Sequence, residues 1–154
     1  MNRVDKKILR LLQENCRLPI VELAEKVNLS ASACHRRVKL LEEKGQIDGY
    51  SARLNARNLG YRVTVYAEIS LNSQSDACLN NFEEAVKTCP EILECHLMAG
   101  EADYLIKVAA RSTDHYERIH RRSLAHLPGV SKMKSNFVLR TIQPWEGYFV
   151  DGSV

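Results

Sequence analysis

The chain has 154 residues, 45% of them apolar and 27% charged, with a net charge of +3. Such a composition excludes long disorder, a collagen repeat and a heavily acidic tail. No stretch approaches the ~18–20 uncharged apolar residues that a membrane-spanning helix needs.

The charge is unevenly shared. Residues 1–62 hold thirteen Lys and Arg against seven Asp and Glu, a net +6, whereas residues 63–154 hold nine against twelve, a net −3. A basic front and an acidic back indicate two units with different partners, because basic surface attracts polyanions. The five cysteines, at 16, 34, 78, 89 and 95, form no CxxC pair. They are expected to be free thiols in a reducing compartment. The stretch Met1-Asn2-Arg3-Val4-Asp5-Lys6-Lys7 lacks the apolar core of a signal peptide, so a cytoplasmic location is expected.

In chain order, Asp5 is the expected cap of a helix over Lys6–Asn15, with Ile8, Leu9, Leu11 and Leu12 as its apolar stripe. Pro19 suits the first turn of a second helix, whose inner face is Leu23, Ala24 and Val27. Asn28 tolerates the left-handed backbone of a helix end. Ser30 caps a third helix, Ala31–Lys44, closed by Gly45. Two helices joined by a short turn at Asn28-Leu29 form a helix-turn-helix.

At 100° per residue, Cys34, Val38 and Leu41 fall on the inner side of the third helix, and Ser32, Arg36, Lys39 and Glu43 on the outer side. In a helix-turn-helix the front of the second helix enters the major groove, which places Ser32, Ala33, His35 and Arg36 nearest base edges. Arg36 suits a bidentate contact to guanine. The Ser30 hydroxyl and neighbouring N–H groups suit a phosphate, and Arg37 and Lys39 suit the backbone. The segment from Ile47 to Leu54, with its Asp48-Gly49 turn signal, reads as a β-wing that offers Arg53 to DNA.

Residues 55–61 read as a linker. A strand follows at Val63–Leu71, a helix near Ala77–Thr88, strands at Ile92–Ala99 and Tyr104–Ala110, a helix over Asp114–His126 and a last strand at Met133–Ile142. The order βαββαβ is the ferredoxin-like split βαβ, with helices on one face of an antiparallel sheet. The other face needs a cover, and a second copy of the chain is the expected one.

Asp5-x-x-Ile8-Leu9-x-x-Leu12-Gln13, Glu22-Leu23-Ala24, Asn28-Leu29-Ser30 and Cys34-x-x-Arg37-Val38-x-x-Leu41-Glu42-x-x-Gly45-x-Ile47-x-Gly49-Tyr50 stand in the front. Glu94-Cys95-His96-Leu97, Gly100-x-x-Asp103-Tyr104-Leu105 and Leu127-Pro128-Gly129-Val130 stand in the back. In order and spacing these fragments, over about residues 2–143, resemble the leucine-responsive regulatory protein / asparagine regulator (Lrp/AsnC, feast/famine) family.

The resemblance implies an α+β chain with a winged helix-turn-helix over 1–54, a linker over 55–61, a ferredoxin-like (ACT-like) βαββαβ domain over 62–143 and a tail over 144–154. It implies a bacterial or archaeal transcription regulator, not an enzyme, that binds double-stranded DNA. It further implies assembly into homodimers and then tetramers or octamers, and a response to a small effector, usually an amino acid, held between subunits. The matched effector loop contains Gly100, Asp103 and Tyr104; Ser135 and Asn136 on the last strand are further candidates. Pro19-Ile20 departs from the small polar pair usual before the family's second helix. The aromatic tail, Trp145, Tyr148 and Phe149, is less familiar and is expected at a subunit contact.

Three other readings of these residues compete with it. An acid–base enzyme could draw on Cys95, His96, Asp103, His115 and His120, but the sequence has no nucleophile elbow, P-loop or dinucleotide fingerprint. A metal- or thiol-responsive regulator would use Cys89, Cys95 and His96, although neighbours on a strand point to opposite faces. An effector-binding assembly module without DNA function would lack salt-dependent DNA binding.

Overall fold

The computed structural model describes residues 1–150. The first helix, α1 (Arg3–Glu14), begins three residues before the expected Lys6. Asn2 rather than Asp5 is its cap: the Asn2 side-chain oxygen accepts the Asp5 N–H at 2.8 Å, which satisfies an otherwise unpaired donor of the first turn. The second helix, α2 (Ile20–Lys26), has Pro19 at its cap position, and Asn28 beyond it takes φ 55°, the left-handed turn residue expected there. The third, α3 (Ala31–Glu43), is capped by Ser30 and followed by Gly45 at φ 65°.

Ile8, Leu23, Ala24, Val27, Cys34 and Leu41 form the buried centre of this three-helix unit, with Leu11, Leu12, Val38 and Ile47 packed around it. The expected wing is not a paired hairpin: the stretch from Ile47 to Leu54 contains no strand. Only Ile47 is drawn into the core, while Leu54 stays 73% exposed. A lone two-stranded ribbon with so little apolar surface to bury gains too little to offset its ordering cost.

The second unit is a four-stranded antiparallel sheet of order β2-β3-β1-β4, formed by β1 (Val63–Leu71), β2 (Ile92–Leu97), β3 (Tyr104–Ala110) and β4 (Val130–Phe137). Two helices, α4 (Asp76–Lys87) and α5 (Thr113–Arg122), cross it, giving the βαββαβ order. Strand alternation selects the faces. Val65, Ala67, Ile69 and Leu71 of β1, with Tyr104, Ile106, Val108 and Ala110 of β3, are buried against Phe82, Val86, Tyr116 and Ile119 of the helices.

The opposite face presents half-buried Tyr66, Glu68, Leu105 and Lys107, with Lys134 and Asn136 beside them. Polar pairs knit it: the Lys107 Nζ donates to Glu94 at 2.6 Å, and the Asn136 Nδ2 donates to Glu68 at 2.9 Å. The Lys107 ammonium holds the Glu94 carboxyl below the usual carboxylate range.

Three boundaries differ from expectation. β2 ends at Leu97 rather than Ala99. α5 stops at Arg122, and Leu124–His126 tightens into a 3₁₀ turn that buries Leu124 completely. β4 covers Val130–Phe137 instead of Met133–Ile142. Its end is set by its partner: Phe137 already faces Val65 near the start of β1, so residues 139–142 have no neighbour to pair with, and Leu139 is 99% exposed.

The chain divides into two compact units, one of Met1–Arg53 with the tail from Gln143 onward, the other of Leu54–Ile142. The residues expected as linker, 55–61, fold as a turn of the second unit: Asn55 accepts the Asn58 N–H through its side chain, and Gly60 takes φ 87°. The tail 144–154 is described as far as Val150; residues 151–154 lie outside the described residues. Gln13 of α1 grips the tail at two points, its Nε2 donating to the Tyr148 carbonyl at 2.7 Å and its Oε1 accepting the Tyr148 N–H at 2.9 Å. Trp145 and Tyr148 meet edge to face at 6.0 Å yet remain mostly exposed, as does Phe149.

Candidate functional site

Two places matter: the outer side of α3 and the loop between β2 and β3. The turn before α3 is tight because the Leu29 N–H donates to the Ala24 carbonyl at 3.0 Å and Asn28 absorbs the left-handed step. The Ser30 hydroxyl then accepts the Ala33 N–H at 3.3 Å and lies 3.2 Å from the Ser32 hydroxyl. These two hydroxyls sit together at the positive end of the helix, where anions are favoured.

Along α3, Cys34 and Leu41 are buried, and Val38 packs against the same core. Burial pushes the Cys34 thiol up, which keeps it an inert packing group. Ser32, His35, Arg36 and Lys39 are exposed, and Ala33 is half-buried. Among the described residues, neither Arg36, Lys39 nor the exposed Arg53 makes an ion pair.

Arg37 differs from its neighbours. Its guanidinium donates to the Asp5 carboxylate at 2.7 Å, with both side chains partly buried. It therefore ties α3 to α1 rather than standing free beside Arg36. The segment after α3 is held by a bond that sequence reasoning missed: the Tyr50 hydroxyl donates to Glu42 at 2.7 Å. Burial first, and then that carboxylate, push the Tyr50 phenol up to about 12.

At the β2–β3 loop the groups expected to face an effector do separate jobs. The Asp103 carboxylate accepts the Leu71 N–H at 2.7 Å and the Gln74 side-chain N–H at 2.9 Å. Its backbone N–H donates to the Ile69 carbonyl at 2.9 Å. Asp103 thus stitches this loop to the end of β1. Tyr104 is only 1% exposed, its ring 4.5 Å from that of Phe82 and its hydroxyl donating to Glu83 at 2.7 Å. Burial and the Glu83 carboxylate push its phenol well above the ordinary range. Tyr104, expected at the effector loop, therefore turns its ring into the core.

Gly100 is exposed, has no left-handed φ, and a Cβ there would meet nothing. Ser135 and Asn136, neighbours on β4, point to opposite faces of the sheet within the protomer. Ser135 lies 2.6 Å from the Tyr116 hydroxyl on the helix side, while Asn136 is on the open face. Cys89, Cys95 and His96 do not converge either. The Cys89 thiol donates to Glu91, Cys95 packs against the core, and His96 sits 3.6 Å from Glu94 on the opposite face. Among the described residues no group of three or more His, Cys, Asp and Glu could hold a metal ion.

Residues 1–48 match the model of winged helix-turn-helix DNA-binding domains, and residues 64–145 match that of Lrp/AsnC ligand-binding domains. This chain belongs to the Lrp/AsnC family of transcription regulators. It is 37% identical over 142 residues to the Bkd operon transcriptional regulator of Pseudomonas aeruginosa, covering 92% of this chain and 93% of that one. It is 36% identical over 143 residues to the leucine-responsive regulatory protein of Escherichia coli, covering 93% and 87%. Among solved structures, a transcriptional regulator of Neisseria meningitidis in complex with L-methionine superposes with a TM-score of 0.89 at 33% identity, covering 94% and 93%. An AsnC family regulator of Agrobacterium tumefaciens gives 0.88 at 35% identity, covering 94% of each chain. As an Lrp/AsnC regulator the chain pairs a DNA-binding unit with a ligand-binding unit, and no helix among the described residues is long and apolar enough to cross a membrane.

Proposed function

We propose that this regulator reads duplex DNA with the outer side of α3 and changes its occupancy when an amino acid binds between subunits of its sheet domain. Ser32, Ala33, His35 and Arg36 meet base edges; Ser30, Lys39 and Arg53 meet phosphates. Arg37 holds α3 in place through Asp5. Paired copies would address half-sites about one helical turn apart, ~10 bp. The observation that carries this reading is the pair of exposed cations, Arg36 and Lys39, without an ion pair among the described residues, on the outer side of a capped helix whose inner side is buried.

A second copy is the natural cover for the open sheet face, where Tyr66 and Leu105 lie among complementary charges. Higher assembly to tetramers or octamers follows the family. The relative crystallised with L-methionine supports an amino acid as the ligand class. Gly100 stands exposed in the β2–β3 loop, and without a side chain it leaves room there for a ligand or a neighbouring subunit. Asp103 keeps free lone pairs beyond its two internal bonds, enough for an α-ammonium group.

Screening the twenty amino acids by thermal shift, then sizing the protein and measuring its retention of genomic DNA fragments with and without each hit, tests both halves. Retention that falls with salt and changes with one amino acid is expected. DNA retention absent even in dilute buffer overturns the DNA reading, and twenty silent amino acids overturn the effector class.

A further inference from the structure

The outer side of α1 carries Arg3, Lys6, Lys7 and Arg10 at successive helical turns, and these four side chains line one shallow cleft with Val150 of the tail. Arg3 and Arg10 are exposed and Lys6 and Lys7 half-buried; none makes an ion pair among the described residues. Glu14, near the end of the helix, is the acid on the same side. At 3.6 residues per turn the four cations span an arc of about 100°, centred about 150° round the helix from both Ile8 and Asp5. Ile8 marks the core, and Asp5 marks the side that meets Arg37 of α3. The stripe therefore faces away from the recognition helix, and phosphates it holds cannot be those that α3 spans.

We infer that the Arg3–Lys6–Lys7–Arg10 side of α1 is a second, sequence-independent DNA surface that binds the phosphate backbone of a duplex segment outside the one read by α3. The spacing suits such a partner: cations at three- and four-residue intervals lie one above another along the axis, as phosphates do along a groove edge. The surface rests on the DNA reading above, and the test separates the two.

The probe is a duplex that the full-length protein selects from fragmented genomic DNA. It is used trimmed to its protected segment, and again extended by more than one persistence length, about 150 bp. The wild-type protein should bind the long duplex more tightly than the short one, with a salt slope steeper by about 0.9 for each cation engaged, ~3–4 for all four. The combined Arg3→Gln, Lys6→Gln, Lys7→Gln, Arg10→Gln variant should lose that gain with length and keep its affinity for the short duplex. Exchange that keeps the charge, Arg3→Lys, Lys6→Arg, Lys7→Arg and Arg10→Lys, should keep the gain. A wild-type protein indifferent to length, a glutamine variant that retains the gain or weakens equally on both duplexes, or a charge-keeping variant that loses it, overturns the surface. Failure of the wild-type protein to bind even the short duplex would instead strike the recognition-helix reading.

Discussion

The outer side of α3 and the β2–β3 loop both carry polar side chains in family motifs, yet they use them differently. Along α3 the cations Arg36 and Lys39 have no partner among the described residues, so their interaction energy is available to something outside the chain. At the loop, Asp103 and Tyr104 are already engaged, one with Leu71 and Gln74, the other with Glu83 and Phe82. Arg37 shows that the distinction runs inside a single helix, since it adjoins Arg36 but is committed to Asp5. A charged residue in a motif is thus no evidence of ligand contact until its internal partners are known.

The largest effect that sharpens this contrast should come from Tyr104→Ala. Removing a fully buried ring should cost about 3–5 kcal/mol, as truncations of buried aromatics do, measured by thermal or denaturant unfolding. A variant of wild-type stability would return Tyr104 to the ligand side. Asp103→Ala should follow at about 1–3 kcal/mol, because it leaves the Leu71 N–H without its acceptor. An altered effector response at unchanged melting temperature would show that the carboxylate serves the ligand alone.

Arg37→Ala and Asp5→Ala should each cost about 1 kcal/mol, modest because both side chains keep some solvent contact. The double variant should cost less than the two together, as for any directly bonded pair. Strict additivity would dissolve the tie between α1 and α3. The smallest change is that of Lys39→Ala, which should leave melting unaltered and reduce the salt slope of DNA binding by about 0.9. An unaltered slope removes Lys39 from the phosphate contacts.

What the sequence disclosed follows from the range of the forces involved. Stripes such as Ile8-Leu11-Leu12 and the alternation of Val65, Ala67 and Ile69 are local, so helices and strands could be placed from them. The Ser30 cap and Asn28 turn are equally local, and both lie where expected. The cap of α1 was displaced because Asn2 and Asp5 are both good capping residues and only the folded backbone chooses. The end of β4 depends on where β1 begins, a partner more than sixty residues away. The wing failed as a hairpin because its apolar alternation has no sheet to lie on.

The site residues divide in the same way. Which side of α3 faces outward is a matter of angle, and Ser32, His35, Arg36 and Lys39 are exposed as the angle requires. That Arg37 reaches Asp5, or that Ser135 meets Tyr116, depends on contacts between elements distant in sequence. Period-two alternation along β4 is the local signal that separates Ser135 from Asn136. The hold of Gln13 on Tyr148 spans 135 positions and leaves no periodic trace.

The central claim is that α3 reads base edges through Arg36. Selection of binding sites from random duplexes by the wild-type protein and by Arg36→Ala tests it most directly. The wild-type protein should return a motif with a fixed guanine, and the variant should lose preference at that position, with ~1–3 kcal/mol less discrimination there, while its binding to unrelated duplex stays nearly the same. Identical motifs from both proteins would contradict the placement of α3 in the groove.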